Sequence, residues 1–150
     1  MCIVSPTYNN VDHDRFMWTL ESILQQNYTN WRMVFIDDAS SDKTSEKIAA
    51  HLKWRNISED KVTVVRSTVN RKPMANIFYG SQKYCRLGEI QYVIDGDDEL
   101  VGRQVFKVMN AVYQKNKFIT VYSSHIIASG TMDNPFHYLG ISKDYWQQDI

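Results

Sequence analysis

The sequence predicts an α/β domain with a mostly parallel sheet and helices on its faces. Three observations carry that reading. Short apolar or β-branched runs alternate with amphipathic stretches of roughly 10–15 residues, the pattern of βαβ units. Clusters of charged residues follow directly on the strand runs, where loops begin. No linker-like Pro/Gly/Ser tract, internal repeat or low-complexity segment divides the chain, so residues 1–150 read as a single domain.

Taken in order, Cys2 to Thr7 is an apolar run containing Pro6, suited to a buried strand. Asp12 is placed to cap a helix reaching about Gln26, with Phe16, Leu20, Ile23 and Leu24 at helical spacing. Trp31 to Ile36 is a second strand and runs into Asp37-Asp38-Ala39-Ser40-Ser41-Asp42, good capping chemistry for the next helix. That helix spans about Lys43 to Trp54, with Ile48, Ala49 and Leu52 facing inward. Val62 to Arg66 is a third strand, rich in β-branched residues. After Asn70-Arg71-Lys72-Pro73 comes a helix from about Met74 to Tyr84, and then a fourth strand over Gln91 to Ile94. A helix over about Arg103 to Lys115 puts Val105, Val108, Met109 and Val112 on one face, and Ile119 to Ser123 reads as a fifth strand.

Composition narrows the function classes. With 17 Lys+Arg against 17 Asp+Glu the formal charge is zero, which argues against a nucleic-acid partner. No apolar run approaches the roughly 20 residues of a membrane span, and no signal peptide is evident at the start, so the default expectation is cytoplasmic. A chain that begins directly at a strand also fits a piece of a longer protein. Cys2 and Cys85 are too few for a disulfide framework and lack metal-ligand spacing.

In open α/β sheets, ligands bind outside the carboxyl ends of the strands. Those ends carry Pro6-Thr7-Tyr8-Asn9, then Asp37-Asp38, then Arg66 with Arg71-Lys72, and finally Asp95-Gly96-Asp97-Asp98. Neither GxGxxG nor GxxxxGK is present, which removes most of the case for a dinucleotide dehydrogenase or a P-loop NTPase. Clustered carboxylates suit a hard divalent cation such as Mn²⁺ or Mg²⁺, which takes one or two of them plus substrate phosphates. Gly96 is expected to let the backbone turn tightly so that its acidic neighbours converge. Singly, each cluster reads equally well or better as something ordinary: a solvated acidic turn, a helix cap, a half-buried tyrosine, a basic loop. Their joint placement on one sheet edge is what favours a site.

On these residues the sequence resembles the family 2 glycosyltransferases, whose Rossmann-like GT-A fold binds a nucleotide-sugar. The resemblance runs through Ile3 to Asn9, Leu20 to Gln26, Trp31 to Thr44 and Val93 to Asp98, in the family's order and spacing. It implies that Tyr8 packs on the uracil of a UDP-sugar donor, that Asp38 with Asp37 accepts from the base, and that Asp95, Asp97 and Asp98 form a DxD-type motif holding ribose and metal. Pro6, Thr7, Asn9 and Gly96 belong to the same donor-binding segments. Asn76 matches an asparagine of the helix after the third strand. That segment also departs from the family, which has a glycine-containing loop where this chain has Lys72-Pro73, and an arginine where it has Ala75. Arg71 or Lys72 is then left to supply positive charge.

The resemblance further implies metal-dependent, inverting transfer to an acceptor that the sequence does not identify. It also implies an acceptor-binding half with an Asp or Glu base, most of which is expected to be missing from these 150 residues. Asp144 and Asp149 are the only carboxylates in the last fifteen residues and are weak candidates for that base. Two rivals remain: a non-catalytic module of the same fold serving binding or assembly, and a nucleotidyltransferase of similar architecture.

Overall fold

The structure, a computed structural model, describes residues 1–115. The expected fifth strand at 119–123 lies outside them. Chain contacts divide the protein into a unit over Met1–Asn110 and a second over Ala111–Ile150; the described residues of the second are the last turn of one helix, and the first holds all that follows.

Four strands form one parallel sheet: β1 (Cys2–Thr7), β2 (Arg32–Asp37), β3 (Val62–Arg66) and β4 (Gln91–Val93), in the spatial order β3-β2-β1-β4. The connecting helices are α1 (Arg15–Leu24), α2 (Thr44–Trp54) and α3 (Pro73–Tyr84), and α4 (Val105–Lys115) follows β4. Every residue of β1 is buried, as expected for a central strand covered on both faces.

Alternation along the strands sorts the core into two layers. Ile3, Met33, Phe35 and Val62 join Phe16, Leu20 and Ile23 of α1 and Ile48 and Leu52 of α2 in the larger one. Val4, Val34 and Ile36 form the smaller one, against Tyr79, Tyr84 and Cys85 at the end of α3. Each such aliphatic side chain contributes about 1.5–3 kcal/mol by leaving water. Gly80 lets α3 approach closely, because a Cβ there would stand 2.7 Å from both Ile36 Cδ1 and Val4 Cγ1.

Three local expectations are corrected. Asp12 does not cap α1: Asp12–Asp14 forms a 3₁₀ turn, and the helix starts at Arg15 with no side-chain cap. Ala49 is exposed, and the buried face of α2 is Thr44, Ser45, Ile48 and Leu52. In α4 the buried residue is Phe106, edge-on to both Trp31 and Tyr92, while Val105 and Met109 pack only partly. The cysteines form no framework, but they do form one bridge. Cys2 at the start of β1 is joined to Cys85 at the end of α3, 83 residues apart in sequence. Beside it Arg32 donates to the Tyr84 carbonyl and pairs with Glu89 at 2.5 Å.

Candidate functional site

The topology dictates where a ligand belongs. From β1 the chain steps outward through β2 to β3, then crosses back to place β4 on the other side of β1. Strand order therefore reverses at β1, and the crevice outside the carboxyl ends of β1 and β4 is the switch point where open sheets bind ligands. Thr7-Tyr8 leaves one wall of it and Asp95-Gly96-Asp97-Asp98 the other.

The two walls are held at close range. The Gly96 amide donates to the Pro6 carbonyl at 2.9 Å. A Cβ on Gly96 would lie 2.5 Å from Thr7 Cβ and 2.6 Å from Thr7 Oγ1. Gly96 does not have positive φ, so the expected tight turn is not its reason; it is glycine because there is no room for a side chain. Asp98 N–H donates to the Asp95 carbonyl and closes the turn.

Of the four residues expected from β1, Tyr8, half of it exposed, and Asn9 reach the surface. Pro6 and Thr7 are buried and serve as frame: the Thr7 carbonyl accepts from Asp38 N–H, and Thr7 Oγ1 accepts from Asn10 Nδ2 at 2.8 Å. Asn9, at positive φ, uses its side-chain oxygen to accept from Ser41 N–H.

Asp37 and Asp38, adjacent in sequence, have separate duties. Asp37 is fully buried; its two oxygens accept from the amides of Ser40 and Ser45, the latter in the first turn of α2, and Arg66 stands 3.8 Å away. It caps α2, the ordinary reading of its local sequence, whereas the resemblance implied a place beside a nucleotide base. Asp38 Oδ1 accepts from the Arg71 amide at 2.7 Å and Oδ2 from the Lys72 amide at 2.8 Å. Burial disfavours its charged form, but these two amides and the Asn76 side chain outweigh that and hold the carboxyl below its ordinary value. The β3–α3 loop is thus moored to β2 by one carboxylate. Asn76 is buried beside the Asp38 carboxylate, its Nδ2 outside normal hydrogen-bond geometry.

The mooring has a conformational consequence. Lys72, at the N-cap of α3, takes φ 72° and ψ 157°, a region favouring glycine. At the departure from the family's glycine-containing loop, the lysine itself takes a glycine-like conformation. The Arg71 and Lys72 side chains are exposed.

Asp95 and Asp97 are exposed and Asp98 is half-buried. Asp97 Oδ2 lies 4.0 Å from Nη1 of Arg15, the first residue of α1. Sequence reasoning missed Arg15. A cation in the first turn of a helix opposes the helix dipole, and that is the available signal of a duty elsewhere. No group of three or more His, Cys, Asp or Glu among the described residues is arranged to hold a metal by itself. Asp97 and Asp98 carry hard carboxylate oxygens, the ligand type that Mg²⁺ and Mn²⁺ take. Asp144 and Asp149, the weak candidates for a base, lie outside the described residues. No described helix is long and apolar enough to cross a membrane.

An open parallel sheet with an acidic crevice at its switch point has the architecture of the GT-A transferases, and solved structures bear this out. TarS residues 1–349 from S. aureus superpose with a TM-score of 0.62 at 23% identity, over 76% of this chain and 32% of that one. The same protein solved with UDP-GlcNAc gives 0.60, at 23% identity over 76% of this chain and 31% of the other. The mannosyltransferase PcManGT from Pyrobaculum calidifontis, solved with GDP-Man and Mn²⁺, gives 0.61 at 22% identity, over 70% of this chain and 29% of the other. EpsE of Bacillus subtilis (strain 168), named as a glycosyltransferase, is 27% identical over 115 residues, 73% of this chain and 37% of its own length. The model of glycosyl transferase family 2 matches residues 2–148. The chain belongs to that family, and it spans about a third of the length of these relatives.

Proposed function

We propose that this chain is the donor-binding part of a metal-dependent, inverting glycosyltransferase whose donor is a UDP-sugar, and that residues 1–150 act as one such domain. The observation that carries the reading is the convergence of Tyr8, the Asp38–Asn76 pair and Asp95 to Asp98 on the carboxyl edge of adjacent strands. Related folds solved with UDP-GlcNAc and with GDP-Man and Mn²⁺ support it.

In this reading the exposed Tyr8 ring offers an apolar face to the uracil. Asp38 keeps a second lone pair on each oxygen after accepting from the loop amides, and these face the base N–H. Asp95 takes the ribose. Asp97 and Asp98 hold Mn²⁺ or Mg²⁺, which when bound offsets the negative charge of the leaving diphosphate. Without a cation these carboxylates repel that diphosphate. Arg71, Lys72 and Arg15 are positive charges that the described residues supply on this edge.

Calorimetry of UDP in Mn²⁺ and in EDTA tests the proposal. Binding is expected in Mn²⁺ and to fall at least tenfold in EDTA. Asp97→Ala and Asp98→Ala should remove the metal dependence, and at the exposed Asp97 the change in stability should be no more than about 0.5 kcal/mol. Equal UDP affinity in both buffers would remove the metal from the reading and favour a binding module. No UDP binding in either would refute the donor assignment.

A further inference from the structure

A cavity of about 250 Å³ lies between α1 and the loop that follows the acidic turn, lined among others by Trp18, Glu21, Gln25, Glu99, Leu100 and Arg103. We infer that this cavity is a saccharide subsite, taking one neutral hexose unit of a carbohydrate chain. Three observations carry the inference.

First, its walls are preformed. Ser22 Oγ accepts from Leu100 N–H at 3.1 Å, Gln26 Nε2 donates to the Gly102 carbonyl at 2.7 Å, and Gln26 Oε1 accepts from Phe106 N–H at 3.2 Å. Asn27 N–H donates to the Arg103 carbonyl at 2.9 Å. Gln26 is buried with both side-chain atoms satisfied, so the loop is pinned to α1 and a ligand need not order it. Glu21 is likewise fixed, its Oε1 forming an ion pair with Arg55 Nε at 3.2 Å and lying 2.7 Å from His51 Nε2.

Second, the lining has sugar-binding chemistry. Trp18 is 54% exposed, although it sits in a helix whose other face is core. An indole face packs against the C–H face of a pyranose, while the carboxylates of Glu21 and Glu99, the Gln25 amide and the Arg103 guanidinium can bond its hydroxyls. Glu21 is paired with Arg55, which leaves Glu99 against Arg103, and a lining so balanced suits a neutral sugar.

Third, the cavity is well placed. The α1 helix begins at Arg15, 4.0 Å from Asp97, and Glu21 lies about 9 Å further along its axis. Glu99 directly follows the acidic turn. A short oligosaccharide seated here can extend towards the donor crevice. Calling it the acceptor rests on the glycosyltransferase reading; the binding of saccharide does not.

The test is a titration of the ¹⁵N-labelled chain with maltotriose and chitotriose, followed through the tryptophan indole signals and backbone amides. Trp18 and the amides of Glu99 to Arg103 should shift saturably, with Kd on the order of 1 mM. Trp54, which is exposed and does not line the cavity, should not respond. Trp18→Ala and the milder Glu99→Gln should each weaken saccharide binding severalfold or more and leave UDP binding unchanged. No saturable shift, equal response of Trp54, or full binding by both variants would overturn the subsite. UDP titrated into the same sample separates the two readings: saccharide binding without UDP binding refutes the donor proposal alone, and the reverse refutes this one alone.

Discussion

Replacing Lys72 by glycine should stabilise the protein. At φ 72° and ψ 157° the lysine occupies a region that costs a residue with a Cβ about 1–3 kcal/mol. It is held there because its own amide and that of Arg71 both donate to Asp38, at 2.8 and 2.7 Å, while Pro73 fixes the first turn of α3. Glycine keeps the amide and its hydrogen bond and removes the steric cost. Against this, glycine frees the unfolded chain, at about 0.5–1 kcal/mol. The net expectation is a gain of about 0.5–2 kcal/mol. Urea unfolding should show a higher midpoint at unchanged slope, and Tm should rise by about 2–8 °C per kcal/mol. Lys72→Ala is the control: it removes the same ammonium but keeps the Cβ, so it should stay within about 0.5 kcal/mol of the parent. Should Lys72→Gly prove no more stable than Lys72→Ala, the backbone argument is wrong. The pair also reports on the site, since both variants lose the same charge and should weaken UDP binding equally if that charge faces the diphosphate.

Three further expectations follow from the packing and the charges. Asp38 and Glu89 are both held below their ordinary values, each against burial, Asp38 by loop amides and Glu89 by the Arg86 amide and Arg32. Depressed carboxyls add stability that is complete above about pH 4–5 and is lost as pH falls through their folded values. Asp38→Asn should therefore flatten the acid limb of a stability–pH curve, and an unchanged limb would show that Asp38 is not a source of it. Gly96→Ala should destabilise by about 1–3 kcal/mol and impair UDP binding, because its Cβ would meet Thr7 at 2.5 Å and part β4 from β1; wild-type stability and affinity would contradict the close approach. Cys85→Ser should lower stability by about 2–4 kcal/mol under oxidising conditions and change nothing in the presence of a thiol reductant, since the bridge closes a long loop; equal stability in both buffers would mean that no bridge forms.

The sequence by itself determined the α/β class, all four described strands and their helices to within about two residues, except where α1 begins. It could do so because burial on both faces writes continuous apolar runs into strands, and one-sided burial writes a helical period into the segments between. It also placed Tyr8, Asp38 and Asp95 to Asp98 on one edge, because parallel βαβ units send every strand's carboxyl end the same way. What only the tertiary structure decided were the pairings that no local pattern encodes. Asp37 and Asp38 are indistinguishable as letters, yet one, the last residue of β2, caps α2, and the other, the first residue beyond it, moors the loop before α3. Arg15 meets Asp97 across 82 residues, Cys2 meets Cys85 across 83, and Gln26 ties down Gly102 across 76. Such contacts depend on which strand lies beside β1. That choice is made by packing both faces of the sheet at once, and no segment read alone records it.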